Sequence, residues 1–265
     1  MQSVVEVWQG DSPIVLSLPH TGTHVPEEMF ERLNARGQAL SDTDWHVDQL
    51  YDGVLPGATT VRAKFHRYVI DPNRDPAGES LYPGQATTDL VPLTDFEGED
   101  IWAEPPNTKD VQDRLAGYHA PYHAALRAEL KRVHALYGVV VLFDCHSIRS
   151  QLPYLFEGVL PDFSVGTNGG ATCAAEIESS VINIASGALG YRAVLNGRFK
   201  GGWTTRHYGR PEDGLHAIQL ELSQAAYLET EAPPWTFSDV KSGELRLVLA
   251  KMLNELQALA PSLVS

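Results

Sequence analysis

The chain is short of several things that would otherwise narrow its role quickly. Two cysteines in 265 residues, Cys145 and Cys173, are too few for a disulfide framework. No run of eighteen apolar residues occurs, so nothing reads as a membrane-spanning helix. The opening MQSVVEVWQG lacks the basic flank and apolar run of a secretory signal, and a cytoplasmic location is expected. Positive charge is scarce, with 20 Lys and Arg against 34 Asp and Glu and a net charge of −14. That balance argues against nucleic acid or an anionic membrane as partner. Linkers, internal repeats and low-complexity tracts are also missing, so residues 1–265 are expected to form one domain. Small molecules or proteins remain as partners, and nothing in the sequence specifies an oligomeric state.

What is present is an ample core, with 43% hydrophobic and 9% aromatic residues. Apolar runs rich in β-branched residues span Ile14–Leu18, Thr60–Ala63, Tyr68–Ile70, Val139–Phe143, Arg192–Leu195 and Ala217–Leu222. Their continuity predicts strands covered on both faces. Between them, Asn107 or Thr108 caps a helix reaching about Leu136, which Pro121 should kink or split. Further helices are expected over Ala171–Ala185 and Glu244–Leu259, with a short one over Asp44–Tyr51. Strands alternating with helices predict a three-layer α/β fold with a mostly parallel or mixed central sheet and helices on both faces. The Gly-, Pro- and acid-rich stretch Gly78–Pro106 has no period and is either a cover over a site or a surface meander.

Two apolar runs end in the same way. Ile14–Leu18 leads into Pro19-His20-Thr21-Gly22, and Val139–Phe143 leads into Asp144-Cys145-His146-Ser147. In open α/β sheets ligands gather beyond the carboxyl ends of strands, which is where these histidines would sit. A divalent metal held by two histidines and a carboxylate would satisfy such a cluster. Asp44 and Asp48, in the acidic segment SDTDWHVD, are the carboxylate candidates, with helix capping as the competing role. His24 is a loop neighbour. His119 and His123 are four apart but interrupted by Pro121, which favours surface or packing roles.

Arg67, Arg74, Arg149 and Arg206 flank the expected strand ends and present forks suited to carboxylates, with internal ion pairs to Asp71 and Asp75 as the alternative. Glu221 lies between leucines in a run that reads as buried. Burial raises a carboxyl pKa toward neutrality, which suits a general base, although a structural ion pair would also satisfy it. Nucleophilic schemes are weaker. There is no Gly-x-Ser-x-Gly, and Cys145 reads as a small buried residue. The Gly-rich stretch from Asn196 to Arg206 lacks the ending of a phosphate loop and reads as a flexible substrate loop.

Taken in order, SLPHTGTHVP, DTDWHVDQLY, RYVIDPNRDP, LFDCHSIRS, GRFKGGWTTRHYG and AIQLELSQ resemble the N-formylglutamate amidohydrolase family across most of the chain. The resemblance implies a fold like that of zinc carboxypeptidases and aspartoacylases. It also implies metal-dependent hydrolysis of N-formyl-L-glutamate to formate and L-glutamate in histidine degradation, with one divalent ion, zinc. His20, His146 and Asp44 would be its ligands, with Asp48 as the alternative carboxylate. The glutamate that such peptidases carry three residues after the first histidine is Thr23 here. Asn73 and Arg74 match a pair that holds a substrate carboxylate, Glu221 matches the base, and Arg67, Arg149 and Arg206 are candidates for the second carboxylate. Competing readings are another zinc amidohydrolase acting on an N-acyl amino acid or a C-terminal peptide bond, and a non-catalytic carboxylate-binding protein.

Overall fold

The computed structural model describes residues 3–80, 84 and 86–264. Seven strands form one sheet: β1 (Val5–Trp8), β2 (Ile14–Leu18), β3 (Thr59–Ala63), β4 (Val140–Ile148), β5 (Phe163–Gly166), β6 (Ala193–Leu195) and β7 (Leu215–Ser223). Their order is β1-β3-β2-β4-β7-β5-β6. The central strands β3, β2, β4 and β7 run parallel, β1 and β5 join them antiparallel, and β6 runs parallel to β5. The sheet is therefore mixed, and the carboxyl ends of β2, β4 and β7 meet at one edge of its centre.

The helices are α1 (Glu27–Phe30), α2 (Ala35–Gln38), α3 (Val47–Tyr51), α4 (Thr108–Arg114), α5 (Ala120–Tyr137), α6 (Ala175–Gly187), α7 (Trp203–Tyr208) and α8 (Asp239–Leu259). They cover both faces of the sheet. One face of the central strands shows Ile14, Leu16, Leu18, Phe143, Cys145, Ile218, Leu220 and Leu222, packed against α3, α6 and α8. The α8 stripe of Leu245, Leu249, Met252 and Leu256 is fully buried there, each side chain contributing about 2 kcal/mol. The opposite face presents Val15, Val61, Leu142 and Ala217 to Tyr122, Leu126, Leu130 and Val133 of α5.

The long helix around Pro121 begins as expected. Asn107 and Asp110 form a reciprocal capping box, and Gly138 ends the helix in the left-handed conformation. Between α4 and α5, Leu115–His119 forms a π-turn in which the Ala120 amide reaches back to the Leu115 carbonyl. Pro121 has no amide to continue a regular ladder, so the helix widens here instead of breaking.

Three expectations are corrected. Tyr68–Ile70 is buried but is not a strand: Val69 N bonds His66 O in a turn, and the carbonyls of Tyr68 and Val69 accept from Arg114. The four-residue strands β1 and β5 were not expected, because neither run is long enough to show a period. The stretch read as a flexible loop contains α7, whose first amides are anchored from outside the helix.

Candidate metal and substrate site

Where β4 runs beside β7, Asp144 is paired with Gln219 and His146 with Glu221. Side chains alternate along a strand, so Asp144 and His146 share a face with Gln219 and Glu221, while Cys145, Leu220 and Leu222 turn to the other. On β2 the neighbour of Asp144 is Ser17, which donates to Asp144 Oδ1 at 2.8 Å. His20 follows just beyond the end of β2.

His20 Nδ1 and His146 Nδ1 lie 3.2 Å apart, and Asp44 Oδ2 is 3.8 Å and 3.3 Å from them. All three residues are buried. Atoms held about 2 Å from a tetrahedral ion are about 3.3 Å apart, so these edges suit a small divalent cation. The outer nitrogens support the same reading. His20 Nε2 contacts Asp71 Oδ1 at 2.6 Å, and His146 Nε2 contacts Asp144 Oδ2 at 3.1 Å. Carboxylates in these places take the Nε2 protons and leave both Nδ1 lone pairs facing each other and Asp44, an arrangement that calls for a cation.

Asn73 Nδ2 also lies 3.1 Å from His146 Nε2. Its own Oδ1 accepts from Thr204 N at 2.8 Å, so the amide orientation is set by α7. Of the two neighbours of Nε2, the carboxylate is the stronger acceptor, and we assign the proton to Asp144.

Asp44 spends its other oxygen on Arg67 at 2.5 Å, and Oδ2 also accepts from Ser147 N at 3.1 Å. Burial works against the ionised Asp44, yet Arg67 and the two histidines hold its carboxyl below the usual range. Asp71 is likewise held well below that range against burial, by His20, Arg74 and Arg67. Burial, aided by Arg67, lowers His20. His146 is raised well above its ordinary value because Asp144 and Asp44 outweigh burial. Glu221 is pushed up to about 7 by burial, which His146 and Arg67 oppose and Asp44 reinforces. Its Oε2 accepts from Gln219 Nε2 at 3.1 Å, and Gln219 Oε1 in turn accepts from Gly202 N at 2.7 Å.

The cluster opens into a cleft lined by His20, Asn73, His146, Gln219 and Glu221 on one side and by Phe96, Ile148, Leu155 and Phe199 on the other. Thr88 and Phe96 belong to the Gly78–Pro106 stretch, whose described part therefore covers the site. Arg74 staples it there through bonds to Thr88 O and Oγ1, both at 2.9 Å. Gly202 closes against the Asn73 side chain so tightly that a Cβ would fall 2.3 Å from Asn73 Nδ2.

The structure thus brings together His20, Asp44, His146, Glu221, Arg67, Asn73 and Arg74. Asp48 pairs with Arg62 on a separate groove. Arg149 and Arg206 are absent from the described lining. Arg149 is engaged by Asp42 at 3.4 Å and Glu97 at 2.6 Å, and Arg206 Nε bonds Gly201 O at 2.9 Å. Cys145 faces the apolar side, where burial pushes its thiol well above the usual range. His119 and His123 are buried packing residues that bond the Arg74 and Pro72 carbonyls at 3.1 and 2.7 Å.

Sequence reasoning treated Asp71 only as an ion-pair partner and gave Asp144 no part in orienting a histidine, although both lie within two residues of assigned positions. Arg198, which lines the cleft, was given no role. Its signal was its place at the start of the Gly-rich stretch.

Residues 12–228 match the family profile of N-formylglutamate amidohydrolase. The chain is 42% identical over 261 residues to a Pseudomonas putida protein named N-formylglutamate deformylase, with 97% of each chain covered. A Pseudomonas aeruginosa protein of the same name is 41% identical over 261 residues, again covering 97% of each. The crystal structure of the N-formylglutamate amidohydrolase from Ralstonia eutropha JMP134 superposes with a TM-score of 0.78 at 26% identity, covering 95% of this chain and 96% of that one. A protein of Agrobacterium tumefaciens, 18% identical with a TM-score of 0.73 over 97% of this chain and 96% of its own, shares the fold. On the length and strength of these matches, this chain belongs to the N-formylglutamate amidohydrolase family.

Proposed function

We propose that this protein hydrolyses N-formyl-L-glutamate to formate and L-glutamate, as a step of histidine degradation, with one zinc ion held by His20 Nδ1, His146 Nδ1 and Asp44 Oδ2. The reading rests on one arrangement: two carboxylate-backed histidines and Asp44 beside the raised carboxyl of Glu221, in an arginine-lined cleft of a family member. Two nitrogens and one oxygen leave room for a further ligand, the pattern of catalytic rather than structural zinc. When bound, such an ion supplies Lewis acidity toward a water and a carbonyl oxygen.

The chain's own residues do the rest. Glu221 accepts a proton from the attacking water and delivers it to the departing glutamate nitrogen. A carboxyl near pH 7 can do both at neutral pH. Arg67 fixes Asp44 and presents positive charge to the cleft, where negative charge develops on the formyl oxygen. Asn73 and Arg74 hold the α-carboxylate, which lies next to the scissile amide and so must bind close to the metal cluster. The Asp71 and Asp144 carboxylates keep both rings turned inward.

The test is formate release by the purified protein from N-formyl-L-glutamate and from N-acetyl-L-glutamate, before and after chelation and on returning zinc. Release from the formyl compound, lost on chelation and restored by zinc, is expected. Binding without release would favour a carboxylate-binding protein, and activity indifferent to chelators would remove the metal from the proposal.

A further inference from the structure

Resting on that reading, N-formyl-L-glutamate brings two carboxylates into a protein of net charge −14. Each needs a cation, because a desolvated carboxylate is costly unless paired. Among the described residues the cleft is lined by three arginines, Arg67, Arg74 and Arg198. The first two adjoin the metal cluster, Arg67 bonding Asp44 at 2.5 Å and Arg74 lying 3.7 Å from Asp71. Both suit groups near the scissile bond. The side-chain carboxylate lies further along the substrate and needs a cation on the wall away from the cluster.

Arg198 occupies that wall. It adjoins Phe199, its guanidinium 5.5 Å or less from the ring, at 5.4 Å to the centroid, and Phe199 belongs with Ile148, Leu152 and Leu155 to a small apolar cluster. Its Nε donates to Leu155 O at 2.9 Å and one terminal nitrogen donates to Ala86 O at 2.8 Å. These bonds to two separate loops fix the plane of the fork. They also tie Ala86, next to the Thr87 and Thr88 that line the cleft, to the apolar wall. An orientated guanidinium on an apolar wall is a reader of carboxylate, and the hydrocarbon between the two substrate carboxylates would lie along the wall beside it.

We propose that Arg198 is the specificity-determining residue that recognises the side-chain carboxylate of the substrate, so that the cleft selects N-formyl amino acids with an anionic side chain. Methylene stems and neutral amides of equal length would enter but bind less well, because they leave the guanidinium desolvated and without a charged partner.

The experiment compares kcat/KM for N-formyl-L-glutamate and for the near-isosteric N-formyl-L-glutamine in the wild-type zinc-loaded protein and in Arg198→Met and Arg198→Lys. Wild type should prefer glutamate strongly. Arg198→Met should lower kcat/KM for the glutamate substrate roughly 10²-fold, mainly through KM, while changing the glutamine substrate by less than about threefold. Arg198→Lys, which keeps charge but loses the fork, should retain part of the preference.

Equal losses on both substrates would assign Arg198 to holding the two loops, and a retained preference in Arg198→Met would remove it from recognition. If Arg198→Met does not fold, Arg198→Lys decides, since a purely loop-holding residue would depress both substrates alike. A wild-type protein that releases no formate from N-formyl-L-glutamate overturns the activity itself. One that releases formate without preferring glutamate overturns only the role of Arg198.

Discussion

The two faces of the same three strands are built on opposite rules. On the side of α3, α6 and α8, Leu16, Phe143, Cys145, Ile218, Leu220 and Leu222 are apolar from end to end. On the other side the strands start apolar, with Val15, Leu142 and Ala217, and then change to Ser17, Asp144, His146, Gln219 and Glu221 toward their carboxyl ends. Every one of those polar residues is buried. They are tolerated because each has a partner: Ser17 with Tyr122 and Asp144 at 2.8 Å, Thr205 with Asp144 at 3.2 Å, Gln219 with Glu221 and Gly202. One face thus supplies hydrophobic stabilisation that leaves the other free to carry a cluster of charges at the strand ends.

The comparison is broken most severely by removing a nitrogen from the polar face. His20→Ala and His146→Ala should each lose metal and activity to background, read by metal content of the purified protein and by formate release. A variant that keeps full zinc occupancy would remove that residue from the ligand set. Asp44→Asn should follow them, whereas Asp48→Asn should retain metal because Asp48 is occupied by Arg62.

Glu221→Gln changes the polar face without changing its shape. Zinc and substrate binding should persist while kcat falls by roughly 10²–10⁴-fold. Near-normal turnover would leave Glu221 a buried structural acid. The mirror experiment is on the apolar face: Leu220→Ala, one residue away, should cost about 2–5 kcal/mol in unfolding free energy, while zinc content and kcat of the folded fraction stay close to wild type. If Leu220→Ala instead cuts kcat as deeply as Glu221→Gln, the two faces are not separable.

The smallest effect concerns acid. His123, on the polar side, is lowered to about 3 by burial, with His119 adding to the shift. A folded value below the unfolded one means that its neutral form stabilises the protein above about pH 6.5, and that this stability is lost as the pH falls from there toward 3. At pH 5 the loss is about 2 kcal/mol. Denaturant unfolding at pH 7 and pH 5 should show His123→Leu to be less sensitive to this change than wild type. Equal sensitivity would place the acid-labile groups elsewhere.

The strand-end histidines and Glu221 were legible because a polar residue closing or interrupting an apolar run has few explanations other than a site. Fold class was legible for a related reason: strands buried on both faces leave continuous apolar runs. Tyr68–Ile70 misled on the same grounds, since a buried turn whose carbonyls are satisfied by Arg114 has the same composition as a strand. The arginines could not be sorted from sequence, because whether a guanidinium meets a ligand or an internal acid depends on how loops fold. Arg149 found Asp42 and Glu97, and Arg198 found the cleft. Asp71 and Asp144 were hidden behind the residues they orient.

The π-turn before Pro121 has a consequence for phase. Arg114 donates to the carbonyls of Tyr68 and Val69, His119 to that of Arg74 and His123 to that of Pro72, so three side chains of one helical segment grip the stretch that carries Asp71, Asn73 and Arg74. His119 and His123 are one regular turn apart, but Arg114 and His119 are five residues apart. In an uninterrupted α-helix that spacing would turn them roughly 140° away from each other. The surplus residue of the π-turn brings them back onto one stripe. Counted this way, the segment behaves like a vernier: the proline and the extra residue belong together, and losing either one alone would throw the upper grip out of step with the lower.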